Sequence, residues 1–227
     1  LDTAQTELAR RVAAAIDADS LPLVLGGGHE VAWGTFQGIV RARPDLQRIL
    51  VVNFDAHFDL RQAGQPNSGT PFRQIAEWCR QSGRPFDYHV LGISRFANTR
   101  VLFDRAAALG VRHVLDEDLQ TDQGLVQARA GLSRDLAGCQ AVYLTVCLDV
   151  LPGGQAPGVS APAPLGVALA AVLDLMAPVL ASGKLVAADI AELSPGFDRD
   201  GLTARVAARV AATIARRGRL ALVTGAS

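Results

Sequence analysis

The stretch "ILVVNFDAHFDLR", residues 49–61, passes from four aliphatic residues almost directly into Asp55, His57 and Asp59, spaced at every second position. Aliphatic and β-branched residues in an unbroken run suit a strand buried on both faces, as in a parallel sheet. An extended chain sends alternate side chains to one side, so Asp55, His57 and Asp59 are predicted to converge at the end of a strand over Ile49–Phe54. Two carboxylates and an imidazole meeting there form a ligand pattern.

Similar apolar runs recur outward from this stretch. Strands are predicted at Leu21–Leu25, His89–Ile93, Val111–Leu115, Ala141–Val150 and Leu185–Ile190, with one more at Leu220–Val223. Helical spacing is read between them over Val31–Arg43, Pro71–Ser82, Asn98–Leu109, Val167–Leu180 and Thr203–Arg217. This alternation predicts an α/β fold, three layers α/β/α around a mostly parallel central sheet. Ligands bind such sheets beyond the carboxyl ends of the strands. The polar clusters fall there: His29 in "LGGGHE", Asp55, His57 and Asp59, then Cys147 and Asp149 in "LTVCLDV", and Asp189, Glu192, Asp198 and Asp200 in "ADIAELSPGFDRD". The Pro- and Gly-rich "LPGGQAPGVSAPAP", residues 151–164, excludes regular structure and predicts an ordered loop near the site.

Composition narrows the class of partner. The 227 residues suit one α/β domain spanning 1–227, and the chain, opening at Leu1, is expected to begin inside a longer reading frame. Its 22 basic residues balance 22 acidic ones, which argues against nucleic acid or a polybasic membrane surface as the main partner. No apolar stretch reaches the roughly 20 residues that span a bilayer. Cys79, Cys139 and Cys147 form no CxxC and no paired framework, so free thiols in a reducing cytoplasm are expected.

Each polar cluster alone has a plain reading. His29 after a glycine turn reads as a loop histidine, Glu192 as a solvated carboxylate, Asn67 to Thr70 as an ordinary turn, and Asp198 and Asp200 as helix caps. Together they change the balance, because two histidines and several carboxylates crowded at strand ends are costly unless a cation neutralises them. Mixed imidazole and carboxylate donors suit Mn2+, and less selectively Fe, Co, Ni or Zn, and the inventory is enough for two ions. Paired ions lower the pKa of a water shared between them.

The motifs "GGGHE", "NFDAHFD", "LTVCLDVLPGGQAPGVSAP" and "ADIAELSPGFDRDGLTARVAA" resemble, in order, those of the arginase, agmatinase and formimidoylglutamase superfamily of ureohydrolases. The resemblance implies an arginase-like fold, two Mn2+ ions, homo-oligomers and hydrolysis of a C–N bond in a guanidino or formimidoyl group. Carried over by motif, His29 and Asp59 would serve the first ion, His57 and Asp149 the second, and Asp55 would bridge. Asp59 would also orient the attacking water, and Glu192 would hold the cationic nitrogen group.

Three features resemble the formimidoylglutamase branch: Arg61 directly after the ligand motif, "NSGTPF" with Phe72 where arginases carry a proton-shuttling histidine, and the "LPGGQAPGVSAP" loop. The substrate this implies, N-formimidoyl-L-glutamate from histidine degradation, carries two carboxylates. Arg61 can grip one bidentately, with Asn67, Ser68 and Thr70 as further hydrogen-bonding candidates. The alternatives are an agmatinase or other guanidino hydrolase, and a catalytically silent, metal-poor binding or assembly protein on the same fold. The second draws on one departure: the superfamily's Asp-x-Asp reads Cys147-Leu148-Asp149 here. The resemblance implies a carboxylate bridging both ions at this position; strand alternation would put Cys147 on the face of Asp149, where its thiolate would bridge the ions with a preference for softer ones, leave one metal position weak, or mark a member without catalysis.

Overall fold

The computed structural model describes the backbone of residues 1–224 and the side chains of residues 1–216. Six strands, β1 (Leu23–Leu25), β2 (Ile49–Phe54), β3 (Asp87–Ile93), β4 (Arg112–Leu115), β5 (Ala141–Cys147) and β6 (Leu185–Ala191), form one sheet in the order β1-β6-β5-β2-β3-β4. Every pairing is parallel. All residues of β2, β3 and β5 are buried, as expected of strands covered on both faces.

The helices divide between the two faces. Helices α2 (Val31–Ala42), α3 (Pro71–Ser82) and α4 (Arg100–Ala108) pack Phe36, Ile39, Ile75 and Leu102 against Val51, Tyr88 and Tyr143. Helices α5 (Asp122–Gly138), α6 (Leu169–Ala181) and α7 (Leu202–Thr224) cover the other face through Leu132, Leu175, Met176 and Val210. The first helix, α1 (Asp2–Asp17), lies over α2. Gly38 permits that approach, since a Cβ there would sit 2.6 Å from Val12 Cβ. The sequence reading omitted α1 and α5, whose apolar stripes are diluted by Ala, Gln and Arg.

Three expectations are corrected. Leu220–Val223 is not a seventh strand but continues α7; a four-residue apolar run cannot distinguish strand from helix, and a helix already nucleated gains a hydrogen bond with each added residue. The strand expected over Ala141–Val150 ends at Cys147, and Leu148–Val150 forms a 3-10 turn. The alternation expected across Asp55, His57 and Asp59 is not a strand either, because β2 stops at Phe54. Asp55 Oδ1 accepts from His57 N at 2.7 Å, and this local turn replaces the ladder.

After β2 the chain moves to β3 and β4 on one side; after β5 it moves to β6 on the other. Adjacent strands whose connections leave in opposite directions open a crevice at their carboxyl ends. Asp55 to Asp59 and Cys147 to Asp149 flank that crevice.

Candidate metal centre

Four chain segments converge above the sheet. The loop after β1 supplies His29, the loop after β2 supplies Asp55, His57 and Asp59, the 3-10 turn after β5 supplies Asp149 beside Cys147, and the end of β6 leads to Glu192. His29 Nδ1 lies 2.9 Å from Asp55 Oδ2 and 3.1 Å from Asp59 Oδ2. His57 Nδ1 lies 3.1 Å from Asp149 Oδ2 and 3.5 Å from Asp55 Oδ1. His29, Asp55, Cys147 and Asp149 are all buried. Two groups of ligand atoms result, His29 with Asp55 and Cys147, and Asp55 with His57 and Asp149, each with its atoms within 4.8 Å of one another. Asp55 belongs to both.

The electrostatics show a shortage of positive charge. Burial, reinforced by the Asp55 charge, pushes Asp59 up to about 7 and raises Asp149 as well. Burial pulls against a charged His57, but Asp149 and Asp55 outweigh it and push the imidazole up to about 11. His29 is likewise raised well above its ordinary value, burial being overcome by Asp55 and Asp59. Burial also drives the Cys147 thiol upward, with Asp149 and Asp55 adding to it. Retained protons thus offset the crowded carboxylates.

A divalent cation fits this donor set better than protons do. Despite the short distances, His29 Nδ1 makes no hydrogen bond of acceptable geometry, and neither does Asp149 Oδ1, although both atoms are buried. Buried polar atoms without partners are rare and need an explanation. Here both belong to the two ligand groups.

Supporting residues fix the ligands. His29 Nε2 meets Thr145 Oγ1 at 2.8 Å, and Thr145 stands opposite Asp189 across β5 and β6. The fully buried Asp189 accepts from Tyr143 Oη. Asn53 Nδ2 donates to Asp55 Oδ2 at 3.0 Å. Phe72 stands edge-on to the His29 ring, centroids 5.1 Å apart, so an apolar ring closes the place considered for a shuttling histidine. Sequence reasoning missed Thr145, Tyr143 and Asn53; their only signal was polarity inside apolar strands.

The cleft above the ligands holds about 150 Å³. Its floor is His57, Asp59, Cys147 and Asp149, and its rim carries Arg61, Ser68, Gly69, Ser160 and Glu192. Glu192 Oε1 accepts from His29 N at 2.9 Å and Oε2 from Ser160 Oγ at 3.2 Å. Ser160 was not foreseen. Asp59 and Glu192 both adopt positive φ, 49° and 70°, a conformation that costs a non-glycine residue energy and marks a constrained site. Asn67 and Thr70 do not line the cleft. Their side chains are engaged in the loop, Asn67 Oδ1 accepting from Gly69 N at 3.0 Å and Thr70 Oγ1 from Asn67 N at 3.0 Å. Asp198 caps α7 through the backbone N–H groups of Thr203 and Ala204, as expected. A larger hollow of about 630 Å³ adjoins Ser160 along the Pro-rich loop, but it is lined by none of the clustered ligand residues.

The Arginase family profile matches residues 1–216. Formimidoylglutamase of Aeromonas hydrophila is 53% identical over 211 residues, covering 92% of this chain and 67% of that protein. The Cupriavidus pinatubonensis formimidoylglutamase is 51% identical over 214 residues, with 93% and 67% covered. The chain therefore spans about two thirds of the length of these relatives. Among solved structures, formimidoylglutamase from Bacillus subtilis superposes with a TM-score of 0.86 at 22% identity, covering 97% of this chain and 68% of that one, a likeness of fold. By its match over residues 1–216 and its identity to these relatives, with a parallel sheet and candidate ligands clustered at the carboxyl ends of its strands, the chain belongs to the arginase family.

Proposed function

We propose that the protein hydrolyses N-formimidoyl-L-glutamate to L-glutamate and formamide, as a C–N hydrolase of histidine degradation. The observation that carries the substrate is Arg61. Its guanidinium stem crosses Gly69 so closely that a Cβ there would lie 2.8 Å from Arg61 Cδ. Arg61 makes no salt bridge among the described residues, yet it stands on the rim of the cleft that Asp59 and Asp149 line. A substrate carboxylate supplies its partner. The 50% or greater identity to formimidoylglutamases supports the same reading.

His29, Asp55, His57, Asp59, Cys147 and Asp149 would hold two divalent ions, of which Mn2+ suits most of the donors. When bound, such ions supply Lewis acidity and lower the pKa of water. Asp59, at positive φ on the cleft floor, orients the incoming water toward the formimidoyl carbon. Glu192 accepts from the substrate's amidine nitrogen and stabilises positive charge there. Water oxygen becomes the carbonyl oxygen of formamide, the C–N bond to glutamate breaks, and the departing amine takes up a proton.

The test measures formamide and urea released from N-formimidoyl-glutamate and agmatine by the reduced, manganese-supplied protein. Formamide from the first alone is expected; urea from agmatine would replace this reading with the guanidino-hydrolase one. Arg61→Met should lower kcat/KM by roughly 10- to 100-fold, mainly through KM, as expected for one charge-assisted interaction of about 1.5–3 kcal/mol.

A further inference from the structure

Cys147 supplies sulfur to one of the two ligand groups, and its thiol also lies beside Asp149 of the other. Cys147 groups with His29 and Asp55, whereas Asp55, His57 and Asp149 form a group of nitrogen and oxygen donors alone. Each group contains one buried atom with no hydrogen-bond partner, His29 Nδ1 in the first and Asp149 Oδ1 in the second. Cys147 is 1% exposed and lies on the cleft floor, so its sulfur is placed for a bound ion. Soft thiolate donors select zinc, cobalt and similar ions, while carboxylate-rich sites suit manganese.

We propose that the two metal positions are chemically unequal: the His29–Asp55–Cys147 position takes a thiophilic divalent ion of the zinc or cobalt kind, and the Asp55–His57–Asp149 position a hard ion of the manganese kind. The inference rests on reading the cleft as a metal centre, not on the substrate assigned to it. Occupation of the first position converts the thiol to a thiolate and releases its proton to solvent. The other thiols do not confuse the assignment: Cys79 is packed among core residues of the α3 face, and the Cys139 thiol bonds Leu136 O.

The experiment is a cobalt(II) titration of the intact, reduced, metal-stripped protein, followed by absorbance. A sulfur-to-cobalt charge-transfer band should grow with the first equivalent and stop, while the visible cobalt bands grow through the second. Cys147→Asp should bind two equivalents without the near-ultraviolet band. The zinc-over-manganese preference of the tighter position, measured by competition against the manganese paramagnetic resonance signal, should fall by roughly tenfold or more in that variant. If Cys147→Asp does not fold, Cys147→Ser, of the same size, serves the same comparison. Two bound cobalt ions with no sulfur band in the parent would overturn the proposal, as would a band growing equally through both equivalents, the mark of a bridging thiolate. Formamide assays separate the two readings: a first-equivalent band without hydrolysis removes the substrate assignment alone, and hydrolysis without the band removes the unequal positions alone.

Discussion

Two acidic clusters flank the sheet, and only one of them is complete. Beside the starts of β3 and β4, Asp87 sits between Arg48 and Arg112, and Asp135 on α5 accepts from both Arg112 Nε at 2.7 Å and His89 Nδ1 at 2.6 Å. No buried polar atom of this cluster lacks a partner among the described residues. The carboxyl-end cluster joins aspartate and histidine to Cys147 without an arginine among them, and its His29 Nδ1 and Asp149 Oδ1 are orphaned. Within it burial of Asp55 is outweighed by His29 and His57, which hold it down but do not do so for Asp59, which burial and the Asp55 charge push up to about 7; burial of Asp135, by contrast, is outweighed by His89 and Arg112, which hold it down. A histidine beside an aspartate is therefore not a ligand signature in itself. The deciding feature is whether the protein supplies the compensating charge.

The sharpest way to break this comparison is to remove the carboxylate common to both ligand groups. Asp55→Asn should reduce both hydrolysis and bound metal by more than ~100-fold, since even outer partners of metal ligands cost about 10–100-fold. Elemental analysis beside circular dichroism checks it. A folded variant retaining two ions would show that Asp55 merely fills space between the histidines. Thr145→Val should have the next largest effect, weakening metal affinity by roughly 10–100-fold by freeing His29 Nε2, while Thr145→Ser restores it. Equal behaviour of the valine and serine variants would reduce Thr145 to packing.

The two clusters also differ in how plainly the sequence displays them. The ligand loop is compact: Asp55, His57, Asp59 and Arg61 lie within seven residues behind an unmistakable strand, and β2 and α3 occupy the predicted residues. Repeated apolar runs made the parallel sheet legible for the same reason, burial on both faces. The exact path was not legible, because Asp55 to Asp59 form turns rather than a ladder and Asp149 sits on a 3-10 turn. Thr145, Tyr143 and Ser160 were hidden because each gains its role from a partner distant in sequence: His29, Asp189 and Glu192 respectively. His89 appeared in the sequence only as the start of a predicted strand; its partner Asp135 lies 46 residues later.

The smallest predicted effect belongs to the complete cluster. Asp135→Asn should leave metal binding unchanged and cost about 1 kcal/mol or less, because Arg112 and Asp135 remain partly solvated and such pairs are worth little. Its pH dependence sharpens the contrast. Asp135 has a folded pKa below the unfolded value, so its contribution is present above about pH 4 and disappears as pH falls through the lower folded value. The difference in urea midpoint between parent and variant should therefore hold steady at neutral pH and shrink in acid. Asp59 works in the other sense. Its folded pKa of about 7 exceeds the unfolded 3.8, so in chelator the folded protein retains a proton that the unfolded chain loses. That contribution is full below about pH 4 and is lost as pH rises to about 7. Divalent ions reverse the trend by displacing the proton, since metal affinity increases as ligands deprotonate. Urea titrations of the parent and of Asp59→Asn across this range, with chelator and with manganese, decide the matter. A metal-free Asp59 contribution that grows toward neutral pH would mean that the cleft carries its own compensating charge, and the distinction between the clusters would fail.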